Sequence, residues 1–181
     1  PVMFIEQRLL HYQKGFVPKD YYKIEQGKAR ITSEGDHVTL VGISYMQVEC
    51  MRAQLYLEEQ GINAEVIDPI WLDPLDIDTI ANSAKKTGKL CVVDNAWLRC
   101  GAGSEIVSQV VESVQKDCDL LVHRIGFAPV TCPPSPTLES AFYPDARAIA
   151  SEVFDFVKGG LNGWLPEINK DLAEIEFKGP F

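Results

Sequence analysis

The stretch Asn63–Gly103, NAEVIDPIWLDPLDIDTIANSAKKTGKLCVVDNAWLRCGAG, decides the fold that this sequence predicts. Asn63–Asp68 is a short apolar run that ends at a proline, which predicts a buried strand. Asp76 and Gly88 are typical first and last cap residues of a helix. Between them, four apolar residues recur at helical spacing: Ile77, Ile80, Ala81 and Ala84. Lys89–Asp94 is a second apolar run, so the stretch predicts a strand, a helix and a parallel strand.

Outside this stretch, the chain continues the same alternation of strands and helices. Strands are predicted at Val38–Ile43 and Leu120–Ile125, and helices at Gln47–Gln60, between Gly103 and Gln115, and after Asp145. The run Phe127–Pro136 contains four prolines and predicts an irregular loop, and Thr137–Phe142 then predicts a short helix. The pattern as a whole predicts an α/β protein, a three-layer α/β/α sandwich with a mostly parallel sheet.

The composition excludes several classes of protein. The 181 residues carry a formal net charge of −9, which argues against binding to nucleic acid or to an anionic membrane surface. No apolar run approaches the roughly 20 residues of a membrane span. The five cysteines are scattered and form no C-x-x-C motif, which indicates neither a zinc site nor a disulfide framework. We therefore expect a reducing compartment, the cytoplasm or an organelle matrix.

The two ends of the chain differ from its centre. Pro1–Ile5 is typical of a strand, and its partners would lie in sequence that precedes Pro1, so we expect this chain to be the later part of a longer protein. His11–Glu34 is polar with scattered aromatic residues, which predicts a connecting arm. We therefore divide the chain into an arm at residues 1–34, a domain at residues 35–158 and a surface-packed tail at residues 159–181.

Polar residues follow the predicted strands, where open α/β sheets tend to bind ligands: Ser44, Asp68, Asp94, Asn95 and Arg124. Asp68 and Asp94 could form a carboxylate pair for acid–base or metal chemistry. Alternatively, each of the two could bond to backbone N–H groups in its own loop. Gly101 and Gly103 before a helix could cradle an anion, or they could simply form a tight turn.

The histidines and tryptophans offer weaker signals. His11, His37 and His123 are isolated from one another, and His123 within its strand is typical of a hydrogen-bonded core or interface residue. Trp71, Trp97 and Trp164 lie near loops or in the tail. Trp97 could anchor an interface or could pack within the domain. The residues alone therefore predict an α/β domain without a self-contained active site.

A family resemblance is carried by four stretches: VTLVGISYM at Val38–Met46, INAEVIDPIWLDPLDIDTIANSAKKTGKLCVVD at Ile62–Asp94, NAWLRCGAGSEI at Asn95–Ile106 and VHRIGFAPVTCPPSPTLE at Val122–Glu139. Together they resemble the C-terminal domain of the transketolase-like thiamine diphosphate enzymes. The closest resemblance is to the beta subunit of the decarboxylating component of 2-oxoacid dehydrogenase complexes, of the pyruvate, branched-chain and acetoin types. The upstream PVMFIEQRLL resembles the last strand of that family's pyrimidine-binding domain.

The resemblance implies a five-stranded sheet with one antiparallel strand. It implies that the full-length enzyme uses thiamine diphosphate and magnesium to decarboxylate a 2-oxoacid and passes the acyl unit to lipoamide. The family's activating glutamate would lie upstream of Pro1, and its GDG and paired-asparagine motif does not occur here. We therefore expect no catalytic, cofactor-binding or metal-binding residue in this chain, which should not be active alone.

The resemblance also implies partners. These would be an alpha subunit, a second beta subunit and the acyltransferase core with its lipoyl domain, and an acidic surface suits a basic docking partner. We name Trp97, Arg124 and Glu139 as candidate interface residues. This chain departs from the family pattern in IDPIW at residues 67–71, in the proline-rich loop and in the longer tail.

Two other interpretations stay open at this stage. The chain could belong to a transketolase or a deoxyxylulose phosphate synthase relative, although sugar phosphates would favour a more basic domain. It could also be a non-catalytic binding module that has kept the fold.

Overall fold

The computed structural model describes Pro1, Met3 and residues 6–169. Apart from Pro1 and Met3, the predicted strand at Pro1–Ile5 lies outside the described residues, as does the predicted tail beyond Asn169. A 3-10 helix covers Arg8–Tyr12, and the strands are β1 (Arg30–Ser33), β2 (Val38–Gly42), β3 (Ala64–Asp68), β4 (Lys89–Val93) and β5 (Leu121–Ile125). The helices are α1 (Met46–Glu58), α2 (Ile77–Thr87), α3 (Ala102–Val114), α4 (Pro136–Glu139) and α5 (Ala146–Lys158).

The strands form one five-stranded sheet in the order β1-β3-β2-β4-β5. β1 is antiparallel to β3, and the other neighbouring strands are parallel. Helices α1 and α5 cover one face of the sheet, and α2 and α3 cover the other. The three-layer sandwich and the single antiparallel strand are therefore confirmed.

The core lies on both sides of the central strand β2, whose residues are all buried. Because β2 and β4 are covered on both faces, they are apolar runs without the alternation of a half-exposed strand. One part of the core includes Leu40, Leu57 and Ile149, and the other includes Val41, Ile80 and Ile106. The adjacent β-strand side chains thus point alternately into the two layers.

The predicted caps of α2 are confirmed. Asp76 accepts a hydrogen bond from the Thr79 backbone N–H at 3.2 Å, and Gly88 ends the helix with a left-handed φ of 66°. Asp76 also accepts from the Ala29 N–H at 3.0 Å. Burial alone would raise the Asp76 pKa, but these bonds lower it below the usual value. This one carboxylate therefore starts α2 and fastens the arm to it.

The structure corrects the prediction that the connecting arm extends to Glu34, because Arg30–Ser33 forms the edge strand β1. β1 is short, and its register shifts between Ile31 and Ser33. It contains only one large apolar residue, which is itself partly exposed, so it lacks the apolar run that marks the other strands. An edge strand buries little surface and leaves a weak signal in the sequence.

Residues 161–169 lie along α5 and reach α1. The Ser151 hydroxyl donates to the Trp164 carbonyl at 2.5 Å, Arg147 donates to the Pro166 carbonyl at 2.7 Å, and the Asn169 N–H donates to the Tyr56 hydroxyl at 3.2 Å. Trp164 packs on Phe154 with ring centroids 4.8 Å apart. Across the residues that the structure describes, we find no helix with the length and apolar character needed to cross a membrane.

Candidate functional site

The candidate site lies at the carboxyl edge of the parallel strands, next to the point where the strand order reverses. The chain passes from β2 to β3 on one side and from β4 to β5 on the other, so the reversal falls between β2 and β4. Ligands in open α/β sheets bind preferentially at this point. Of the five residues predicted for this edge, Asp68 ends β3, Arg124 is the penultimate residue of β5, and the other three follow strands: Ser44, Asp94 and Asn95.

The structure does not bring Asp68 and Asp94 together as a carboxylate pair. They end β3 and follow β4, and β2 lies between those strands, so about 9–10 Å separates the two strand axes. Asp68 accepts from the Ile70 N–H at 3.0 Å, while Asp94 accepts from the backbone N–H groups of Asn95 and Gly103. Burial raises the pKa of both carboxyl groups. The structure thus favours the alternative in which each carboxylate holds its own loop.

The glycine motif before α3 forms a tight turn. The Gly103 N–H at the start of the helix donates to Asp94, so this amide is already engaged and is not offered to an outside anion. Gly101 lies so close to the loop that a Cβ atom there would stand 2.5 Å from the Trp97 carbonyl oxygen. The glycine therefore allows the loop at residues 94–101 to fold back onto the helix start.

Arg124 holds the same loop from β5. Its Nη1 donates to the Leu98 carbonyl oxygen at 2.7 Å and also to the Ser104 hydroxyl. The Ser104 hydroxyl in turn donates to the Leu98 carbonyl at 3.1 Å. The guanidinium thus joins β5, the loop and the first turn of α3, and it fixes the backbone next to Trp97.

Four aromatic side chains pack together beyond this loop, and we call them the aromatic cluster: Trp97, Phe127, Phe142 and Tyr143. Trp97 meets Phe127 and Phe142 edge-on with centroids 6.2 Å apart, and Phe127 lies 4.7 Å from Phe142 and 5.2 Å from Tyr143. The Phe127 N–H donates to the Ala96 carbonyl at 3.0 Å. Trp97 remains 48% exposed and Tyr143 38% exposed.

The sequence predicted only Trp97 from this cluster. The other three members, Phe127, Phe142 and Tyr143, flank the proline-rich segment. The sequence indicates them only by placing aromatic residues on both sides of that segment. Glu139, the third predicted interface residue, lies exposed at the end of α4, next to the exposed Leu138. Aromatic residues that combine large area with partial exposure are typical interface anchors.

The three histidines are separate and each pairs with a different acidic residue: His11 with Glu6 at 2.9 Å, His37 with Asp36 at 3.0 Å and His123 with Glu152 at 3.0 Å. His123 is therefore hydrogen-bonded as predicted, but it is partly exposed and stacks on Phe156 instead of lying in the core. Trp71 belongs to the loop after β3, and its indole N–H is buried without a partner among the described residues.

The described residues do not fit a thiamine diphosphate and magnesium site. Among them, no three His, Cys, Asp or Glu side chains are grouped as metal ligands. Asp68 and Asp94 at the carboxyl edge accept from backbone N–H groups of their own loops, and Arg124 is engaged by the Leu98 carbonyl and the Ser104 hydroxyl.

The comparisons with known proteins agree with the observed fold. Residues 27–149 match the family model of the transketolase C-terminal domain. The chain belongs to this family. Its β1 strand lies within the matched range, so the edge strand is part of the transketolase C-terminal domain.

Curated relatives extend the match over most of the chain. It is 37% identical, over 87% of its length, to the beta subunit of an acetoin:2,6-dichlorophenolindophenol oxidoreductase from Bacillus subtilis, of which it covers 46%. It is 38% identical, over 78% of its length, to the mitochondrial pyruvate dehydrogenase E1 component subunit beta of Dictyostelium discoideum, of which it covers 41%. The chain therefore spans about half the length of the curated relatives it matches.

A solved structure has a similar fold. It is described as a split-gene transketolase in an inactive beta4 tetramer, and it aligns with a TM-score of 0.64 at 26% identity. The alignment covers 82% of this chain and 46% of that chain.

Proposed function

We propose that this chain is the C-terminal assembly and docking domain of a 2-oxoacid dehydrogenase beta subunit that depends on thiamine diphosphate. The full-length enzyme would carry out oxidative decarboxylation and acyl transfer to lipoamide, with magnesium as the metal ion. The chain itself would supply contact surfaces and no catalytic group. The relatives named as beta subunits of acetoin and pyruvate enzymes support this assignment.

The aromatic cluster carries the proposal. Trp97, which is 48% exposed, is carried by the loop that Arg124 and Asp94 hold, and it packs against Phe127 and Phe142. A rigid anchor loses little conformational entropy on association, so it suits an interface better than a flexible loop would. We place the contact with the alpha subunit or the second beta subunit at this cluster.

The net charge supports the docking part of the proposal. A charge of −9 favours association with a basic partner surface, and we expect that surface on the acyltransferase core, next to its lipoyl domain. We assign the complex to the cytoplasm, or to an organelle matrix in a eukaryotic cell.

The test compares two exposed apolar residues at opposite ends of the sheet. In the natural full-length polypeptide, Trp97→Ser is expected to weaken assembly with the alpha subunit or with the second beta subunit at least tenfold, because anchoring aromatic residues commonly contribute about 2 kcal/mol or more. Leu121→Ser is the control, since Leu121 is 57% exposed at the start of β5, away from the cluster. Light scattering after size-exclusion chromatography measures assembly, and circular dichroism checks folding. Equal assembly by both variants contradicts the interface assignment.

A second candidate is the C-terminal domain of a transketolase, which the similarity to the split-gene transketolase favours. The two candidates differ in the reaction of the full-length protein. Purified natural protein that decarboxylates a 2-oxoacid with lipoamide as acceptor supports the first candidate. Transfer of a two-carbon unit between sugar phosphates, without lipoamide-dependent turnover, supports the second.

A further inference from the structure

Residues 161–169, which we call the strap, form a surface outside the range of the family match. That match ends at residue 149, within α5, and the strap follows the end of α5. The family model therefore does not account for the strap, and its role has to be inferred from its own contacts and exposure.

One side of the strap is fixed to the domain. Trp164 packs on Phe154, Pro166 is buried, and the Asn162 N–H donates to Asp155 at 2.8 Å. The hydrogen bonds to α5 and α1 described above hold the backbone at three further points. A segment that is held in this way loses little conformational entropy when a partner binds to it.

The other side of the strap carries three apolar side chains that are exposed to solvent, and we call them the apolar ridge. Leu161 is 97% exposed, Leu165 is 57% exposed and Ile168 is 72% exposed. Single exposed apolar residues are common on protein surfaces. Three of them on one short, fixed segment are less common, and such concentrations of apolar surface mark interaction sites.

A groove of about 540 Å³ lies beside the ridge. Leu165 and Ile168 line it from the strap, and the C-terminal end of α1 forms its other wall. The charged residues that line it are Glu59 and Glu167, and neither carboxylate forms an ion pair with a described residue. The surface thus combines exposed apolar side chains with negative charge, which complements a partner that presents apolar and cationic residues together.

The charge of the chain distinguishes between the occupants of such a surface. A second copy would bring the same carboxylates and its own net charge of −9, and an anionic membrane surface would also be repelled. A basic amphipathic helix presents apolar side chains on one face and Lys or Arg side chains beside them. It therefore matches both the ridge and the groove.

We propose that the apolar ridge and its groove dock a basic amphipathic helix of a partner protein. The apolar face of that helix packs on Leu161, Leu165 and Ile168, and its Lys or Arg side chains lie beside Glu59 and Glu167. Burial of the ridge supplies affinity, while the two carboxylates select the sign of the partner's charge.

The ridge is a neighbour of the aromatic cluster but a different surface. Leu165 also lines a second cavity, of about 370 Å³, which Phe142 and Tyr143 of the cluster line as well. The inference does not rest on the proposed function, because the strap lies outside the family match. The Trp97→Ser experiment tests the cluster and the experiment below tests the ridge, so a failure of either is recognised separately.

The test uses an amphipathic helical peptide built from Leu and Lys, and a counterpart in which Glu replaces Lys. Fluorescence anisotropy of each labelled peptide with the 181-residue chain measures affinity at physiological ionic strength, and amide resonances of the 15N-labelled chain locate the binding. The basic peptide is expected to bind with a dissociation constant on the order of 10 µM and to shift Gln60, Leu165 and Ile168. The acidic peptide is expected to bind at least about tenfold more weakly.

Two pairs of variants assign the binding to the ridge and the groove. Leu165→Ser should weaken binding of the basic peptide about three- to tenfold, whereas Leu121→Ser, at an equally exposed leucine on β5, should change it by less than about twofold. Glu59→Gln should weaken binding about two- to fivefold, whereas Glu58→Gln should not, because Glu58 is exposed but does not line the groove. Circular dichroism checks that each variant folds, and all four positions are on the surface or partly so.

Several results would overturn the proposal. These are an absence of binding by the 181-residue chain, equal affinity for the two peptides, equal losses in Leu165→Ser and Leu121→Ser, and amide shifts confined to other surfaces. Self-association of the chain that is lost in Leu165→Ser would also overturn it, because the occupant of the ridge would then be a second copy.

Discussion

Replacing Arg124 with methionine should loosen the loop that carries Trp97. The substitution keeps an unbranched apolar stem but removes the Nη1 donor to Leu98 and Ser104. Hydrogen bonds from a charged donor contribute about 1.5–3 kcal/mol each in buried sites. Because the bond to Leu98 is solvent-accessible, we expect Arg124→Met to lower the free energy of unfolding by about 1–2 kcal/mol in total.

Urea denaturation measures this change globally, and amide hydrogen exchange measures it at the loop. The Phe127 N–H donates to the Ala96 carbonyl and therefore reports on opening of the loop. If Arg124→Met lowers the free energy of opening by about 1.4 kcal/mol, this N–H should exchange with solvent about tenfold faster. Arg99→Met is the matched control, because it removes the same charge from an exposed position on the same loop. If the two variants agree within about 0.5 kcal/mol and Phe127 exchange is unchanged, Arg124 does not hold the loop.

Two further substitutions test other parts of the framework. Asp76→Ala should lower the free energy of unfolding by about 2–3 kcal/mol, because it removes the cap of α2 and leaves the Ala29 N–H without its acceptor. Asp78→Ala in the same turn is the control and should lower it by less than about 1 kcal/mol. The pKa of Asp76 is lower in the folded protein than its value of 3.8 in the unfolded chain. The ionised carboxylate therefore stabilises the folded state fully above pH 3.8, and this stabilisation is lost as the pH falls through the folded pKa. Urea denaturation at several pH values measures the loss. Gly101→Ala should lower the free energy of unfolding by about 1–3 kcal/mol, because the new Cβ atom would collide with the Trp97 carbonyl oxygen. Gly160→Ala is the control, since a Cβ atom there enters open space and should leave the melting temperature unchanged. Equal melting temperatures for the two variants would refute the steric argument.

The elements that the sequence predicted well are those whose signals are local. The α2 helix has an apolar stripe, a capping aspartate and a left-handed glycine within one short segment, and the structure confirms all three. The α1 helix was predicted from fewer signals, since it buries polar residues such as Gln47, Glu49 and Gln54. Those side chains bond to other elements, as Gln54 does to the Ala64 N–H at 2.8 Å, so their burial depends on the complete fold.

The candidate site was less predictable because its parts meet only in three dimensions. The sequence identified Trp97, Arg124 and the carboxyl-edge polar residues from their positions after strands. It could not show that Arg124 would bond to the backbone beside Trp97, because 26 residues separate Arg124 from Leu98. The meeting of Phe127 and Phe142 depends on the course of a proline-rich loop, for which no periodic pattern exists.

The bonding of the acidic residues bears on what the domain can do. A general base or a metal ligand needs a carboxylate that is free to meet a substrate or an ion. Here Asp68, Asp94 and Glu49 each accept from backbone N–H groups, and Glu49 also pairs with Arg52. These carboxylates stabilise backbone segments at one edge of the sheet, and the segment that Asp94 holds carries the half-exposed Trp97. Rigid surfaces of this kind are what the assembly role proposed for this domain requires.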